Sequence, residues 1–459
     1  MGTSVLFKRA FVTVAAAAAL AGLAILAGAA GALAGTAPAA HRGAPRQAGP
    51  ATRRQAPGFS NWPMFRDGPA HLGVSPETAI GTATASTLTA GWTATVGTAS
   101  YSSPAVVNLK ALGEPVVFVG GSSSFSAYPA SGSTPLWTFP VSKAVDSSPA
   151  VYNGVVYFAS ASGTLYALNA ATGALRCSLS TNEFMQSSPV VVKDPDGSGA
   201  IVYDDTDPTP GPGQVFAMYA PGNTHGACKQ AWTWNAWTVQ PGGSFSSPGY
   251  ATDANGTPVV VFGSVDPDNS VYALNASTGA KVWSYRTNKT TANDDVGAAP
   301  TISAPGVNGF AGGVVYITGK DKVTYALNLT TGTVIWQHAL AIGKAGDIAG
   351  SALAGNTVYV DSDTGVYALN ATTGAQVWHV LPKSGIYASP AISGPAGQQV
   401  LVIGNLTGHL YALNPVTGKT LWTQQPGKAA YWSSPTISQG TIYITSKDGK
   451  LLTFAPSGG

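Results

Sequence analysis

One tyrosine-to-tryptophan unit recurs along this chain and limits its fold more than any other feature. The unit reads VYALNASTGAKVW over residues 271–283 and returns, with small changes, from positions 324, 366 and 410. An earlier copy, LYALNAATGALRC from position 165, ends in Cys177 where the others have tryptophan. Degenerate copies place Phe125 and Phe216 in the tyrosine position. Self-similarity at a period of roughly 40–50 residues indicates a repeat protein.

A second element, Ser-Ser-Pro followed by alternating apolar residues, precedes these copies. It begins at Ser102, Ser147, Ser187, Ser246 and Ser433, with relaxed versions at Ala298, Ala349 and Ala388. The chain therefore holds eight units, and each has room for four short strands joined by turns. Such units, rich in glycine and aromatic residues, are typical of propeller blades. We predict an all-β chain that folds as an eight-bladed β-propeller of four-stranded blades.

The two ends of the repeat array indicate how the ring closes. The last unit stops at Gly459 without a tryptophan strand, whereas Trp92 precedes the first Ser-Ser-Pro element. Trp92 stands ten residues before Ser102 (102 − 92), the same interval as from Trp137 to Ser147 (147 − 137). We therefore expect an N-terminal strand around Trp92 to complete the eighth blade, which leaves no blade edge open.

Composition agrees with an all-β globular body. The 459 residues are 44% hydrophobic and only 9% charged, which is too apolar for a disordered chain. The formal net charge is +3, and much of the positive charge lies in one proline-rich stretch at Arg42, Arg46, Arg53 and Arg54. Composition thus gives no case for nucleic-acid binding. We expect a monomer whose partner is a protein or a glycan.

The N-terminus carries an export signature. Lys8 and Arg9 precede an uncharged run to Ala40 that is rich in alanine, leucine and glycine. We predict that residues 1–40 are a signal peptide or, because the run is long enough to span a bilayer, a membrane anchor. Residues 41–58 form a basic, proline-rich tether and residues 59–459 the propeller. The protein is then secreted or anchored to the outer face of the cytoplasmic membrane, with membrane contact only through this segment.

The repeat unit resembles the tryptophan-docking motif of the pyrroloquinoline quinone (PQQ) repeat family. The resemblance lies in Ala273-x-Asn275-x-x-Thr278-Gly279-x-x-x-Trp283 and its counterparts from Ala326, Ala368 and Ala412, and in the opening segment 61–78. It implies that a tryptophan of each blade docks on the next blade, at Trp92, Trp137, Trp232, Trp283, Trp336, Trp378 and Trp422.

The PQQ-like family includes quinoprotein dehydrogenases as well as non-catalytic scaffolds, such as the B subunit of the outer-membrane β-barrel assembly machinery. The resemblance implies that an enzyme of this family would need PQQ, a calcium ion held by acidic and amide side chains, an aspartate base and often adjacent cysteines. This chain has no Cys-Cys pair and only three glutamates, Glu77, Glu114 and Glu183. We expect a non-catalytic member without a cofactor; the alternative is a PQQ- and calcium-dependent alcohol or sugar dehydrogenase.

The resemblance also bears on the two cysteines. In the family, each motif tryptophan stacks on the Thr-Gly glycine of the next motif. Cys177 occupies the tryptophan position of blade two, and Cys228 the glycine position of blade three. An exported protein can keep disulfides, so we predict a Cys177–Cys228 bond between these blades; the alternative is two buried thiols.

Propeller ligands gather where the inner strands begin, around the central channel. The residue just before each Ser-Ser-Pro element should ring this mouth. These residues, with two aspartates slightly upstream, are Tyr101, Asp146, Gln186, Phe245, Gly297, Ile348, Tyr387, Trp432, Asp295 and Asp347. Four aromatic rings with acidic neighbours could hold a sugar, an aromatic group or an extended peptide. The alternative is that they pack loops over the channel.

A short acidic loop is a weaker candidate for a metal site. The sequence DPDGSG contains Asp194 and Asp196, and three more aspartates follow at 204, 205 and 207. Alternating carboxylates around a glycine turn resemble a calcium loop, yet no bidentate glutamate follows at loop distance. We therefore predict a polar turn between two strands rather than a metal site.

Overall fold

The computed structural model describes residues 60–97, 101–181, 183–206, 213–240, 242–287, 294–341, 349–380 and 384–457. The predicted signal or anchor and the tether lie outside these residues. The described residues contain three short 3₁₀ helices, at Phe65–Asp67, Ala85–Thr87 and Val307–Gly309. Within the described ranges, no helix is long and apolar enough to cross a membrane.

The described residues form eight four-stranded antiparallel sheets, which confirms the predicted propeller. Strand β1 (Leu88–Thr95) precedes the first blade. Blade one contains β2 (Ala105–Leu109), β3 (Glu114–Gly120), β4 (Ser124–Pro129) and β5 (Trp137–Pro140), and blade two contains β6 (Ala150–Tyr152), β7 (Val155–Ser160), β8 (Thr164–Asn169) and β9 (Leu175–Ser180). Blade three contains β10 (Val190–Lys193), β11 (Ala200–Asp205), β12 (Val215–Tyr219) and β13 (Gln230–Trp234), and blade four contains β14 (Gly249–Thr252), β15 (Pro258–Gly263), β16 (Ser270–Asn275) and β17 (Lys281–Arg286). Blade five contains β18 (Thr301–Ser303), β19 (Val314–Thr318), β20 (Val323–Asn328) and β21 (Val334–Ala339), and blade six contains β22 (Ala352–Ala354), β23 (Thr357–Ser362), β24 (Gly365–Asn370) and β25 (Gln376–Val380). Blade seven contains β26 (Ala391–Ser393), β27 (Val400–Gly404), β28 (Leu410–Leu413) and β29 (Thr420–Gln424). Blade eight contains β30 (Thr436–Ser438), β31 (Thr441–Ser446) and β32 (Lys450–Pro456), together with β1.

Burial within a blade follows from its place between two neighbours. The third strand of blade four, β16, is buried on both faces because each face packs against another blade. The outer strand β17 instead buries Trp283 while Lys281 and Ser284 remain exposed. First strands of neighbouring blades contact each other around the channel. The hydrophobic core therefore lies between the blades, and the channel stands at their inner edge.

The motif tryptophans dock as the resemblance implies. The indole N–H of Trp137 donates to the carbonyl oxygen of Ala170 (3.1 Å), and its ring lies against Gly173. The same arrangement joins Trp232 with Gly279, Trp283 with Gly332, Trp336 with Gly374 and Trp378 with Gly418. Each of these glycines has φ +71°, and an added Cβ would lie 2.7–3.0 Å from an indole carbon, so only glycine fits. At the two ends of the array, Trp92 donates to Ala130 (2.9 Å) and Trp422 packs against Phe454 (5.7 Å between ring centroids).

The blade two–blade three interface carries the predicted disulfide instead. Cys177 pairs with Ala167 in the sheet, as Trp283 pairs with Ala273 in blade four. Cys228 has φ +52°, the left-handed conformation that the docking glycines adopt. The two Cα atoms lie 5.9 Å apart and the sulfurs are bonded. A covalent bond thus occupies the position of one tryptophan–glycine contact.

Closure of the ring also follows the prediction. Strand β1 pairs antiparallel with β32, from Leu88 opposite Pro456 to Thr95 opposite Lys450. The eighth blade therefore combines the beginning of the propeller with its end. No blade is left with three strands, and the chain termini of the ring are held in one sheet.

Residues 60–81, which we call the belt, circle the far end of the inner strands. Belt backbone atoms bond to seven blades through Ser60–Ser438, Trp62–Val106, Pro63–Val151, Pro69–Tyr250, Ala70–Ile302, Leu72–Leu353 and Gly73–Ile392. Met64 packs in the same apolar cluster as Val190 and Val191 of blade three. The belt thus contacts every blade in ring order. It lies at the end of the inner strands opposite the Ser-Ser-Pro elements.

Candidate functional site

The predicted mouth residues meet at one cavity of about 190 Å³ on the channel axis, which we call the cup. Side chains from six blades line it at the predicted positions, namely Tyr101, Asp146, Gln186, Phe245, Tyr387 and Trp432. Gly297 of blade five lies there too, while Ile348 and Asp347 fall outside the described residues. The positions agree because each residue precedes an inner strand by the same interval.

Three aromatic rings form a continuous wall on one side of the cup. The ring centroids of Tyr101 and Trp432 are 4.6 Å apart, and those of Tyr387 and Trp432 are 5.4 Å apart. Lys447 places its Nζ 4.0 Å from the centroid of the Trp432 ring. These rings come from blades one, seven and eight. Such a wall offers an apolar surface on which a sugar or another flat group can stack.

Asp146 and Gln186 supply polar groups from blades two and three. Burial raises the pKa of Asp146 from 3.8 to about 6. Burial and the nearby Asp146 also raise the pKa of Tyr101. At neutral pH the cup therefore holds one desolvated carboxylate, together with an amide from the neighbouring blade and several hydroxyl groups.

The raised pKa of Asp146 should make the free energy of unfolding depend on pH. Folded Asp146 binds its proton more tightly than the unfolded chain does, so its contribution to stability is fully present below pH 3.8 and is lost as pH rises through about 6. Asp146→Asn should therefore raise the free energy of unfolding at pH 8 by roughly 1–3 kcal/mol and leave it nearly unchanged at pH 3.5. Denaturant titrations at both pH values measure this. The exposed Asp448→Asn is the control, and an equal gain at both pH values would contradict the prediction.

The predicted upstream aspartate Asp295 is placed differently. Its carboxylate accepts hydrogen bonds from the Lys320 ammonium and from the backbone N–H of Asp266 (2.7 Å). It lies beside the mouth and does not line the cavity. Lys320 in turn lies 5.7 Å from the centroid of the Phe245 ring. Asp295 thus fixes a lysine at the rim rather than facing a ligand.

The acidic loop in blade three folds as a hairpin turn between β10 and β11. The carboxylate of Asp194 accepts hydrogen bonds from Ser198 and Asn223, and Asp196 lies 2.7 Å from the ring of His225. These carboxylates bond within the turn and to its neighbouring hairpin. In the described part of the chain, no group of three or more His, Cys, Asp or Glu side chains is arranged to hold a metal ion.

Beneath the mouth, six serines form a hydrogen-bonded ring that sequence reasoning did not assign to the site. They are the second serines of the Ser-Ser-Pro elements and of one relaxed copy, Ser103, Ser148, Ser188, Ser247, Ser389 and Ser434. In each, Oγ accepts the backbone N–H of the preceding blade's equivalent residue at 2.9–3.0 Å. The ring thereby links neighbouring blades and lines the cup. Ala299 and Gly350 interrupt it at blades five and six.

The belt forms the floor of the cup. Phe65 lines the cavity, and Arg66 lies beside it with only 2% of its surface exposed. Arg66 Nε donates to the carbonyl oxygen of His71 (3.2 Å), while burial lowers the pKa of Arg66 to about 9 against the opposing effect of Asp361. Burial and the charge of Arg66 likewise lower the pKa of His71 to about 3. A fixed cation is therefore held at the closed end of the channel.

Comparison with known proteins identifies the family. A family model described as outer membrane protein assembly factor BamB, built on PQQ-like repeats, matches residues 83–363 and 362–459. The chain belongs to the PQQ-like β-propeller family. No match was found among curated proteins. The docking tryptophans and the closing strand described above are thus features of a PQQ-like propeller.

Solved structures similar to this PQQ-like propeller include enzymes and an assembly factor. A europium-containing methanol dehydrogenase is 15% identical, with a TM-score of 0.72 over 87% of this chain and 98% of that one. A quinohemoprotein alcohol dehydrogenase from Comamonas testosteroni is 15% identical, with a TM-score of 0.71 over 87% and 81%. BamB from Moraxella catarrhalis is 19% identical, with a TM-score of 0.60 over 81% and 98%. At these identities the likeness concerns the fold alone, which fits either function.

The residues of the cup can be tested against the cofactors of the dehydrogenase alternative. Calcium takes six to eight oxygen ligands, typically several carboxylates. Among the described cup residues only Asp146 is acidic, and Gln186 is the one side-chain amide. The cavity is also smaller than the roughly 300–1,000 Å³ typical of cofactor sites. This donor set does not fit calcium-bound PQQ, and we derive no catalytic step through it.

Proposed function

We propose that this PQQ-like propeller is an exported, non-catalytic binding module that takes its ligand in the cup at the channel mouth. The strongest support is that Tyr101, Tyr387 and Trp432 line one cavity whose far end is closed by the belt. Its aromatic wall can stack on the apolar face of a sugar ring, while hydroxyl, amide and carboxyl groups can bond to the sugar hydroxyls. The ligand is then a sugar ring of a glycan; a side chain of a partner protein is the second candidate.

The proposal includes a place for the protein at the cell surface. The apolar run within residues 1–40 motivates it, either as a cleaved signal or as an anchor. Disulfide Cys177–Cys228 is consistent with folding in an oxidising compartment. Mass spectrometry of the mature protein would distinguish the two forms, since a cleaved protein lacks the first ~40 residues.

A binding experiment tests the cup directly. Trp432→Ala and Tyr387→Ala should each weaken binding to a glycan or peptide array at least about 10-fold, because aromatic anchors in a pocket dominate affinity. Their melting temperatures should stay near that of the unmodified protein. Tyr219→Ala, which alters an aromatic residue away from the mouth, is the control. Unchanged binding with lost stability would show that the rings only pack the channel.

The dehydrogenase alternative has a separate test. Purified protein is offered PQQ with calcium, and dye-linked oxidation of alcohols and sugars is measured. We expect no turnover, because the cup lacks a calcium donor set. Turnover that saturates with added PQQ would overturn the non-catalytic proposal.

A further inference from the structure

The serine ring presents unused hydrogen-bond donors to the cup. Each Oγ accepts a backbone N–H, and within the described residues no acceptor takes the hydroxyl hydrogen of these six serines. The serines are 2–8% exposed, so bulk water does not surround them. A hydroxyl that already accepts a bond and lines a cavity can donate only towards that cavity. Between the mouth and the belt, the cup therefore presents a ring of O–H donors.

A buried cation lies behind the gap in this ring. Both Nη atoms of Arg66 are buried and have no hydrogen-bond partner among the described residues. A Cβ added to Gly350 would lie 2.2 Å from Nη1 of Arg66, so the absence of a side chain at position 350 makes room for the guanidinium. Gly350 also lines the cup. The positive charge thus lies against the backbone of a residue that lines the cavity.

The charges across the cup are arranged with opposite signs on opposite sides. Asp146 belongs to blade two, and Gly350 belongs to blade six, which lies across an eight-bladed ring from blade two. Asp361, also in blade six, attracts Arg66 but is buried in the blade and does not line the cup. Coulomb interactions are strong where water is excluded, so an anion is favoured on the blade-six side.

We propose that the cup binds the oxyanion group of its ligand, a carboxylate or a phosphate, on the serine ring beside the gap at blades five and six, with Arg66 as the counter-charge. This inference rests on the proposed function and narrows its ligand to an acidic one. The serine hydroxyls donate to the anion, as oxyanion sites do with fixed neutral donors. Arg66 acts across the Gly350 backbone, and the aromatic wall holds the remainder of the ligand.

The test uses matched probes with the full-length protein. Isothermal titration calorimetry at low ionic strength compares glucuronate with glucose, which lacks the carboxylate, and uses inorganic phosphate as the bare anion. Glucuronate should bind at least about 10-fold more tightly than glucose, and Arg66→Met should remove this difference. Arg176→Met, a change at an exposed arginine of blade two, should not. The preference should fall as salt is added.

A second pair of variants guards against misfolding of the belt. Ser389→Ala and Ser148→Ala each remove one hydroxyl that accepts one backbone N–H, and both side chains are equally buried. Of these two serines only Ser389 borders the gap, so only Ser389→Ala should lower the glucuronate preference and weaken phosphate binding. Equal effects of the two variants would overturn the oxyanion site. Equal affinity for glucose and glucuronate, lost in Trp432→Ala, would overturn it while leaving the cup as a binding site.

Discussion

A propeller whose closing strand is replaced by a flexible segment is expected to lose cooperative folding. The change replaces residues 88–95 by glycine and serine at equal length, so that the belt keeps its connection. It removes the pairing of β1 with β32 and the docking of Trp92 on Ala130. It also removes the buried side chain of Leu88, and loss of a buried leucine alone costs about 2–5 kcal/mol. The exposed edge of β32 would then be open to pairing between molecules. We expect a broad thermal transition and aggregation.

The measurements are calorimetry and size-exclusion chromatography. An equal-length glycine-serine replacement of residues 41–48, in the predicted tether, controls for the added flexibility and should leave both readouts unchanged. A soluble monomer with one sharp transition would mean that the belt alone holds the ring closed. The experiment can distinguish the two, because the belt bonds to seven blades through atoms that the replacement leaves intact.

The sequence predicts the blades well because each is specified locally. The same three features recur in nearly the same sequence: a strand of alternating inward and outward side chains, an Asn-x-x-Thr-Gly turn and a tryptophan at a fixed interval. Every local preference agrees with the same four-stranded sheet, as in a minimally frustrated sequence. The mouth residues could be placed for the same reason. A residue such as Asp146 or Trp432 has a fixed offset from its Ser-Ser-Pro element, and the propeller turns this offset into a position on the axis.

The rest of the site depends on contacts between distant segments. The belt has no repeat and no periodicity, so nothing in its sequence shows that it circles the channel. Arg66, Asp67 and His71 adopt positive φ there, which their residue types do not announce. Asp295 is turned from the cup by Lys320, a partner 25 residues away. The serine ring did have a signal, since the second serine recurs as regularly as the first.

Removal of the Cys177–Cys228 bond should produce the other large effect. The bond closes a separation of 51 residues, for which the chain-entropy model gives about 4 kcal/mol of stabilisation. The Cys177→Ser, Cys228→Ser double variant should therefore lower the free energy of unfolding by up to this amount, measured by denaturant titration. Dithiothreitol should destabilise the unmodified protein similarly and leave the double variant unchanged. An equal effect of the reductant on both would contradict a role for the bond.

The docking motif of the other blades offers a matched rescue. In the Cys177→Trp, Cys228→Gly variant, tryptophan and glycine stand where five other interfaces have them, and position 228 already has the positive φ of a docking glycine. If the disulfide replaces a docking contact, this variant should be more stable than the double serine variant by about 1–3 kcal/mol and insensitive to dithiothreitol. A variant no more stable than the serine pair would show that the interface has adapted to the bond and no longer accepts an indole. The comparison separates the covalent link from the packing it replaced, because only the link constrains the unfolded chain.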